Sequence, residues 1–277
     1  MPSRDTTALE THFKFGENWQ SFTQEVDEAR IAKAVTDLAA FMAPESLEGK
    51  SFLDIGCGSG LSMLAALRLG AASVHGTDLD PNSVEAARSL LTRLVPSGST
   101  WTVEQRSVFD LDPQQGHFDV VYSWGVLHHT GAMWRAVACA ARMVAPNGIL
   151  AIALYRKTPL CGLWRIEKRF YTQAPAVIQA AIRTIFKIAY IVGLLAQRRN
   201  PLRYIANYPS ARGMSWHHDV HDWLGGYPYE SVLPPEVKTH LEADGFAVTK
   251  VKETAAPMAG LFGTGCDEFL ARRSTGT

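Results

Sequence analysis

The sequence predicts an α/β chain built on a mostly parallel sheet, and three features predict it. An apolar strand, Ser51-Phe52-Leu53-Asp54-Ile55, runs straight into the glycine-rich turn Gly56-Cys57-Gly58-Ser59-Gly60. From 50 to 155, strand-like and helix-like stretches alternate, as expected where helices connect parallel strands. An acid, Asp78, closes the second strand about twenty residues after the glycines, the spacing of a ribose-holding carboxylate.

Each element follows from period and punctuation. Residues 1–49 form a cap: Phe13, Phe15, Trp19 and Phe22 precede Ile31, Val35, Leu38 and Phe41 at helical spacing. After the glycine turn comes a second strand ending Val74-His75-Gly76-Thr77-Asp78. Asp80-Pro81 then starts a helix in the cap-then-proline manner, continuing through Glu85, Ala86, Ala87 and Leu90. Trp101–Gln105 is the third strand, His117–Ser123 the fourth and Asn147–Ala153 the fifth. Asp119 reads as structural, an acid tying neighbouring loops by hydrogen bonds. Residues 156–232 break the rhythm as an insertion. Residues 233–277 resume it, with a helix near 234–244 and strands at Phe246–Val251 and near Cys266–Ala271.

At 277 residues and 47% hydrophobic content, the chain can bury one large core with an insertion. Cys57, Cys139, Cys161 and Cys266 lie far apart with no C-x-x-C, which argues against a disulfide framework and a zinc cluster. The start, Met1-Pro2-Ser3-Arg4-Asp5, lacks the charged-then-apolar order of a secretory signal, so a reducing cytoplasm is the expected compartment.

The glycine turn excludes one ligand class and favours another. A dinucleotide fingerprint beginning at Gly56 or Gly58 needs glycine at 61 or 63, where Leu61 and Met63 stand. The turn instead holds a carboxylate, Asp54, which suits a cationic ligand and repels a diphosphate. With the acid-glycine-glycine-glycine turn, Asp78 and the Phe118-Asp119-Val120-Val121 strand in this order, the chain resembles class I, Rossmann-like S-adenosylmethionine (SAM)-dependent methyltransferases, within the type 11/12-like group that includes small-molecule and quinone-pathway enzymes. That resemblance implies a seven-stranded, mostly parallel sheet finished by an antiparallel strand. It also implies SAM as cofactor, held by Asp54, Gly56, Cys57, Gly58 and Gly60, with Asp78 on the ribose and Leu79 on the adenine. Ser107 stands where the family often has an acid facing the adenine amine; Ser107, Val108 and Ser123 complete the expected cofactor set.

Methyl transfer to an alcohol or phenol needs two reactants held in line and a base for the proton, for which histidine is suited near neutral pH. Trp124-Gly125-Val126-Leu127-His128-His129-Thr130 follows the fourth strand, at the edge where parallel sheets put reacting groups. Paired histidines here resemble those of natural-product sugar O-methyltransferases, which implies His128 or His129 as base. The stretch Arg212–Glu230 is rich in aromatics, histidines and acids and reads as a substrate wall. It offers a rival base, His217 or His218, with Asp219 as orienting carboxylate. His217, His218 and His221 lack the glutamate of the zinc-protease pattern, so no metal is expected. Trp19, Trp124, Trp216, Tyr227 and Tyr229 are the expected substrate contacts.

Net charge is zero overall, yet residues 156–212 carry eleven cations against the single acid Glu167. Within them Ala174–Ala196 reads as one long helix with Ile178, Ile182, Ile185, Ala189 and Val192 on one face. Arg183 and Lys187 at mid-segment, at about 2.5–3.5 kcal/mol each, argue against a membrane span. A peripheral membrane contact through 174–199, an anionic substrate, and a lid or homodimer contact stay open. The activity expected is SAM-dependent methylation of a hydroxyl on a small molecule, glycan or lipid-linked acceptor. N- or S-methylation and an RNA methyltransferase using the basic insertion are the alternatives. RNA is disfavoured because the chain lacks the Asn/Asp-Pro-Pro-aromatic motif and its basic stretch is apolar and helical.

Overall fold

The computed structural model describes residues 13, 15–212, 216–255 and 260–274. Helices α1 (Phe15–Gln24) and α2 (Glu28–Met42) precede the alternating core: β1 (Ser51–Ile55), α3 (Leu61–Arg68), β2 (Ser73–Asp78), α4 (Pro81–Leu94), β3 (Thr100–Gln105), β4 (Phe118–Trp124), α5 (Met133–Arg142) and β5 (Val144–Tyr155). Four helices follow, α6 (Cys161–Gln173), α7 (Ala176–Ala196), α8 (Pro201–Arg212) and α9 (Trp216–Gly225). Then α10 (Pro234–Ala243), β6 (Phe246–Lys252) and β7 (Cys266–Arg273) complete the chain.

The seven strands lie in the order β3-β2-β1-β4-β5-β7-β6. All neighbours from β3 to β5 are parallel, and β7 is antiparallel to both β5 and β6, as the sequence implied. The chain order reverses between β1 and β4, so their carboxyl ends open the crevice where such sheets bind ligands. β5 starts three residues before the expected Asn147, because Val144 already pairs with Phe118.

Two apolar layers cover the sheet. On one face α2, α3 and α4 contribute Phe41, Met63, Leu64 and Leu90 against Phe52, Val74 and Val120. On the other, α5 and α10 contribute Met133, Val137, Val237 and Leu241 against Leu53, Val121 and Leu150. The last carbonyls of α2 are met by Lys250 of β6, whose Nζ donates to Ala40, Phe41 and Ala43, a cation at the negative end of a helix. The insertion has its own small core, with Tyr171, Val220 and Leu224 closed by Phe13 from the N-terminal cap. Its ends are pinned together: Val232 N–H donates to the Tyr155 carbonyl, and Lys157 N–H to that of Val232.

Asp119 ties β4 to β1, as expected of a structural acid. Its Oδ2 accepts from Ser51 N at 2.8 Å and Ser51 Oγ at 2.7 Å, and these donors hold its carboxyl below the usual range. Asp119→Ala should cost about 1 kcal/mol of stability, since the bonds are exposed. A denaturant titration reads this loss, and donor affinity should stay unchanged.

Candidate active site

Gly58 sits at φ 52°, which glycine adopts at no cost, and its N–H donates to Asp78 Oδ2 at 3.0 Å. The other oxygen, Asp78 Oδ1, accepts from Asp80 N at 2.9 Å. A Cβ on Gly58 would stand 3.1 Å from the Trp19 ring, so α1 lies directly over the turn. That helix is fastened to α4: Gly16 N donates to Asp80 Oδ2 at 2.9 Å and Gln20 Nε2 to Asn82 Oδ1 at 3.2 Å.

Asp54 lies beneath the turn at 2% exposure, and its Oδ2 has no hydrogen-bond partner among the described residues. Burial, and secondarily the charge of Asp78, pushes its pKa up to about 8. Burial likewise raises Asp78 to about 6, against the lowering effect of backbone N–H groups at 80 and 58. A buried carboxylate with an unpartnered oxygen and a half-buried one beside it fit a cationic ligand and no anionic one. The donor set therefore fits SAM, with its sulfonium and ammonium charges.

The remaining expected cofactor residues divide by what their side chains already do. The Ser123 hydroxyl donates to the Ile55 carbonyl at 2.9 Å and locks β4 to β1. Ser107 Oγ accepts from Phe109 N at 3.3 Å, capping a short 3-10 turn, and Val108 packs in the core with Leu53 and Ile55. Leu79 is half-buried, and its carbonyl accepts from Gln105 Nε2. Cys57 is buried, with its N–H on the Thr77 carbonyl.

The histidines after β4 are held in opposite tautomers. His128 is fully buried and its Nδ1 accepts from Tyr155 N at 3.3 Å, so its proton sits on Nε2, which has no partner among the described residues. His129 Nδ1 lies 2.7 Å from the Pro228 carbonyl oxygen, an acceptor only, so Nδ1 carries the proton and Nε2 the lone pair. Burial, then the charges of His129 and Lys168, hold His128 neutral, well below the ordinary histidine range. A Cβ on Gly226 would come within 2.6 Å of His129 Cε1 and 3.2 Å of Nε2; only glycine leaves that edge clear.

Around these rings is an aromatic cage that the sequence reading did not assemble. Tyr155 stacks on His128 with centroids 3.9 Å apart and meets Trp223 and Tyr229 at 5.4 Å each. Lys168 is fully buried, with Nζ 3.7 Å from the Trp223 ring centroid and 5.4 Å from that of Tyr229. It has no hydrogen-bond partner among the described residues, and burial pushes its ammonium well below the usual lysine range. In the sequence Lys168 is one of the eleven cations between 156 and 212. The available signal was its place with Trp164 and Tyr171 on one helical stripe of α6, the inward one.

The expected substrate wall is accordingly divided. Trp19 covers the glycine turn and Tyr229 lines the cage, but Trp216 packs on Tyr190 and beneath Lys187. Trp124 sits at the rim, donating to Glu268 Oε1 at 3.2 Å, and the Tyr227 carbonyl accepts from Phe13 N. Among the described residues, His217, His218 and Asp219 each meet a different neighbour, since consecutive helix positions point about 100° apart. His217 Nδ1 meets Lys187 Nζ at 2.5 Å, His218 Nε2 meets Ser21 Oγ at 3.4 Å, and Asp219 accepts from the Tyr208 hydroxyl. His221 bonds the Tyr171 hydroxyl at 2.7 Å. Of the 212–230 stretch, residues 213–215 lie outside the described residues.

Residues 53–150 match a family model described as a methyltransferase domain. Over 130 residues the chain is 31% identical to the ribosomal protein L11 methyltransferase of Tolumonas auensis, covering 47% of this chain and 42% of that protein. Over 118 residues it is 32% identical to the ubiquinone biosynthesis O-methyltransferase of Brucella melitensis, covering 42% and 45%. The chain thus spans less than half the length of these relatives. Its fold is similar to that of magnesium protoporphyrin IX methyltransferase from Synechocystis PCC 6803 with bound S-adenosylhomocysteine, at TM-score 0.55 and 17% identity, covering 89% of this chain and 84% of that one. It is also similar to a SAM-dependent methyltransferase from Mesorhizobium loti, at TM-score 0.51 and 18% identity, covering 86% and 96%. The sheet implied by the sequence is the one these structures share.

The raised carboxyl of Asp54 makes a stability prediction. Its folded pKa of about 8 exceeds the ordinary 3.8, so the ligand-free protein holds the extra proton between these values. Its contribution is complete below about pH 4 and is lost as pH climbs toward 8. Asp54→Asn should therefore stabilise the ligand-free chain, by about 2–5 kcal/mol near pH 8 and little near pH 4. Thermal unfolding of both proteins across that range reads the gap.

Proposed function

On a chain whose residues 53–150 are a methyltransferase domain, we propose that the protein transfers the methyl group of SAM to a hydroxyl of a small molecule, glycan or lipid-linked acceptor. The single observation that carries the acceptor class is the His129 tautomer. With Nδ1–H on the Pro228 carbonyl, Nε2 is the basic nitrogen of the ring, on the edge that lies against Gly226.

Bound SAM would supply a methyl group on a positively charged sulfur. The chain's residues supply the rest. Asp54, Asp78 and the glycine turn hold the cation, and Trp19 on α1 covers it and excludes water. The cage of Tyr155, Trp223 and Tyr229 takes the apolar body of the acceptor. His128 Nε2–H donates to the acceptor oxygen and orients it. His129 Nε2 would take the proton of the attacking hydroxyl, while bound SAM would supply the methyl group for the ether and leave as S-adenosylhomocysteine. His128 is unsuited to the same task because its own lone pair is engaged by Tyr155 N–H.

The names of the relatives include a ribosomal-protein and a quinone-pathway methyltransferase, so they do not choose the acceptor. N- or S-methylation would need no base, and the arrangement of His129 argues for oxygen. Of the insertion's cations, Arg183 and Lys187 turn inward to Tyr171 and His217 and are not offered to an RNA acceptor. Cys57, Cys139 and Cys161 are thiols outside any disulfide, which supports a reducing compartment such as the cytoplasm.

Incubating cell extract with the protein and methyl-labelled SAM, then following the label by mass spectrometry, identifies the acceptor; labelled nitrogen or sulfur would overturn the hydroxyl assignment. With that acceptor, His129→Ala should slow turnover roughly 10²–10⁴-fold at unchanged donor affinity. Asp78→Ala should weaken donor binding without unfolding the chain, and unchanged calorimetric affinity would refute its role. In the wild type, donor affinity should rise from about pH 5 to about pH 8 as Asp78 and then Asp54 ionise. Calorimetry across that range measures the slope.

A further inference from the structure

The long helix α7 is two-faced, and its outer face has no charge. Arg183 and Lys187, which argued against a membrane at the sequence level, both point inward. Arg183 Nη1 donates to the Tyr171 hydroxyl at 2.8 Å, and Lys187 Nζ meets His217. Ile182 and Phe186 pack inward beside Trp164 and Trp216 in the insertion's core. Ile182 thereby leaves the single apolar face expected from the sequence, which combined positions now seen on both sides.

Outward stand Ile185, Ile188, Val192 and Leu195, each 57–67% exposed, in a row that begins at Val177, 79% exposed. From 177 to 195 this stripe runs about 27 Å at 1.5 Å per residue. Thr184 is the polar residue on this side, and its hydroxyl is satisfied by the Ala180 carbonyl at 2.8 Å. Beside the stripe, α6 exposes Ile166 and Phe170 at 68% and 60%. So long an uncovered apolar surface needs a partner.

Charge selects which one. Arg169 on α6 and Arg198, Arg199 and Arg203 after α7 are exposed at the edges. The sole acid between 156 and 212 is the half-buried Glu167. A second copy of this chain, set face to face, would oppose cations with cations. An anionic lipid surface meets both the stripe and its rim. Although α7 is long and apolar enough to span, Ile182, Phe186 and Arg183 pack on the insertion's core, which favours lying along a membrane over crossing it. We infer that α7, flanked by α6, lies flat in the headgroup layer of an anionic membrane, its outer stripe in the acyl boundary and its arginines on lipid phosphates. This surface is separate from the active site and does not depend on the acceptor's identity.

Flotation of the full chain with phosphatidylcholine vesicles, alone and with about one-third phosphatidylserine, tests the inference. Binding to the mixed vesicles should exceed binding to the neutral ones by roughly tenfold or more. Ile188→Glu with Val192→Glu should abolish flotation while leaving thermal unfolding unchanged, because both side chains are exposed. Arg169→Glu with Arg203→Glu should weaken binding to the mixed vesicles roughly fivefold or more per residue and leave binding to neutral ones unaltered. The inference is overturned if the wild type stays in solution with both vesicles, if the acidic α7 variant floats as well as wild type, or if the wild type is a dimer that this variant splits.

Discussion

Two carboxylates that would repel each other, the buried Asp54 of β1 and the half-buried Asp78 at the end of β2, flank one glycine turn, and much of the molecule is arranged around that constraint. Folding without a ligand requires Asp54 to hold its proton or to bear an uncompensated charge at 2% exposure. Either state is poorer than a neutral core residue. The strain is relieved by one kind of partner, a cation shaped to reach both acids. The Gly58 N–H on Asp78 and the α1 helix fastened through Asp80 then enclose that position between sheet and cap. Stability of the empty protein and affinity for the donor draw on the same two groups in opposite directions, a familiar conflict between stability and function.

The histidine pair shows how backbone atoms assign chemical roles. His128 and His129 are adjacent, their rings 4.4 Å apart, and composition cannot tell them apart. The difference arises because one Nδ1 faces an N–H and the other a carbonyl. The carbonyl belongs to Pro228, far along the chain, at the point where the insertion returns to the sheet. A loop distant in sequence thus sets which nitrogen can accept a proton.

The sheet was legible because its signals are local. The strand at 51–55, its glycines, Asp78 and the later strands each carry their own period or turn chemistry, and β7 runs antiparallel as the resemblance implied. The contents of the site were less legible because they depend on which way side chains turn. Ser123 looked like a cofactor contact and instead spends its hydroxyl on Ile55. His217, His218 and Asp219 looked like a base with its carboxylate, and a helix of 3.6 residues per turn sends them to three neighbours. Lys168 stood as one of the eleven cations between 156 and 212 and lies fully buried against Trp223. In each instance the residue type was visible and its partner was not.

The same reasoning explains why α6 deserves to be seen as a wall with two distinct sides. Trp164, Lys168 and Tyr171 face inward, where Lys168 meets the cage around the histidines. Ile166, Arg169 and Phe170 lie between them in sequence yet face outward. The width of one helix therefore separates a buried aromatic cluster from an exposed apolar surface. Polar residues on that outer surface would cost the core nothing, so its apolar character points to something the surface meets. The exposed stripe and its arginine rim match the anionic membrane surface inferred above, whatever acceptor the site takes.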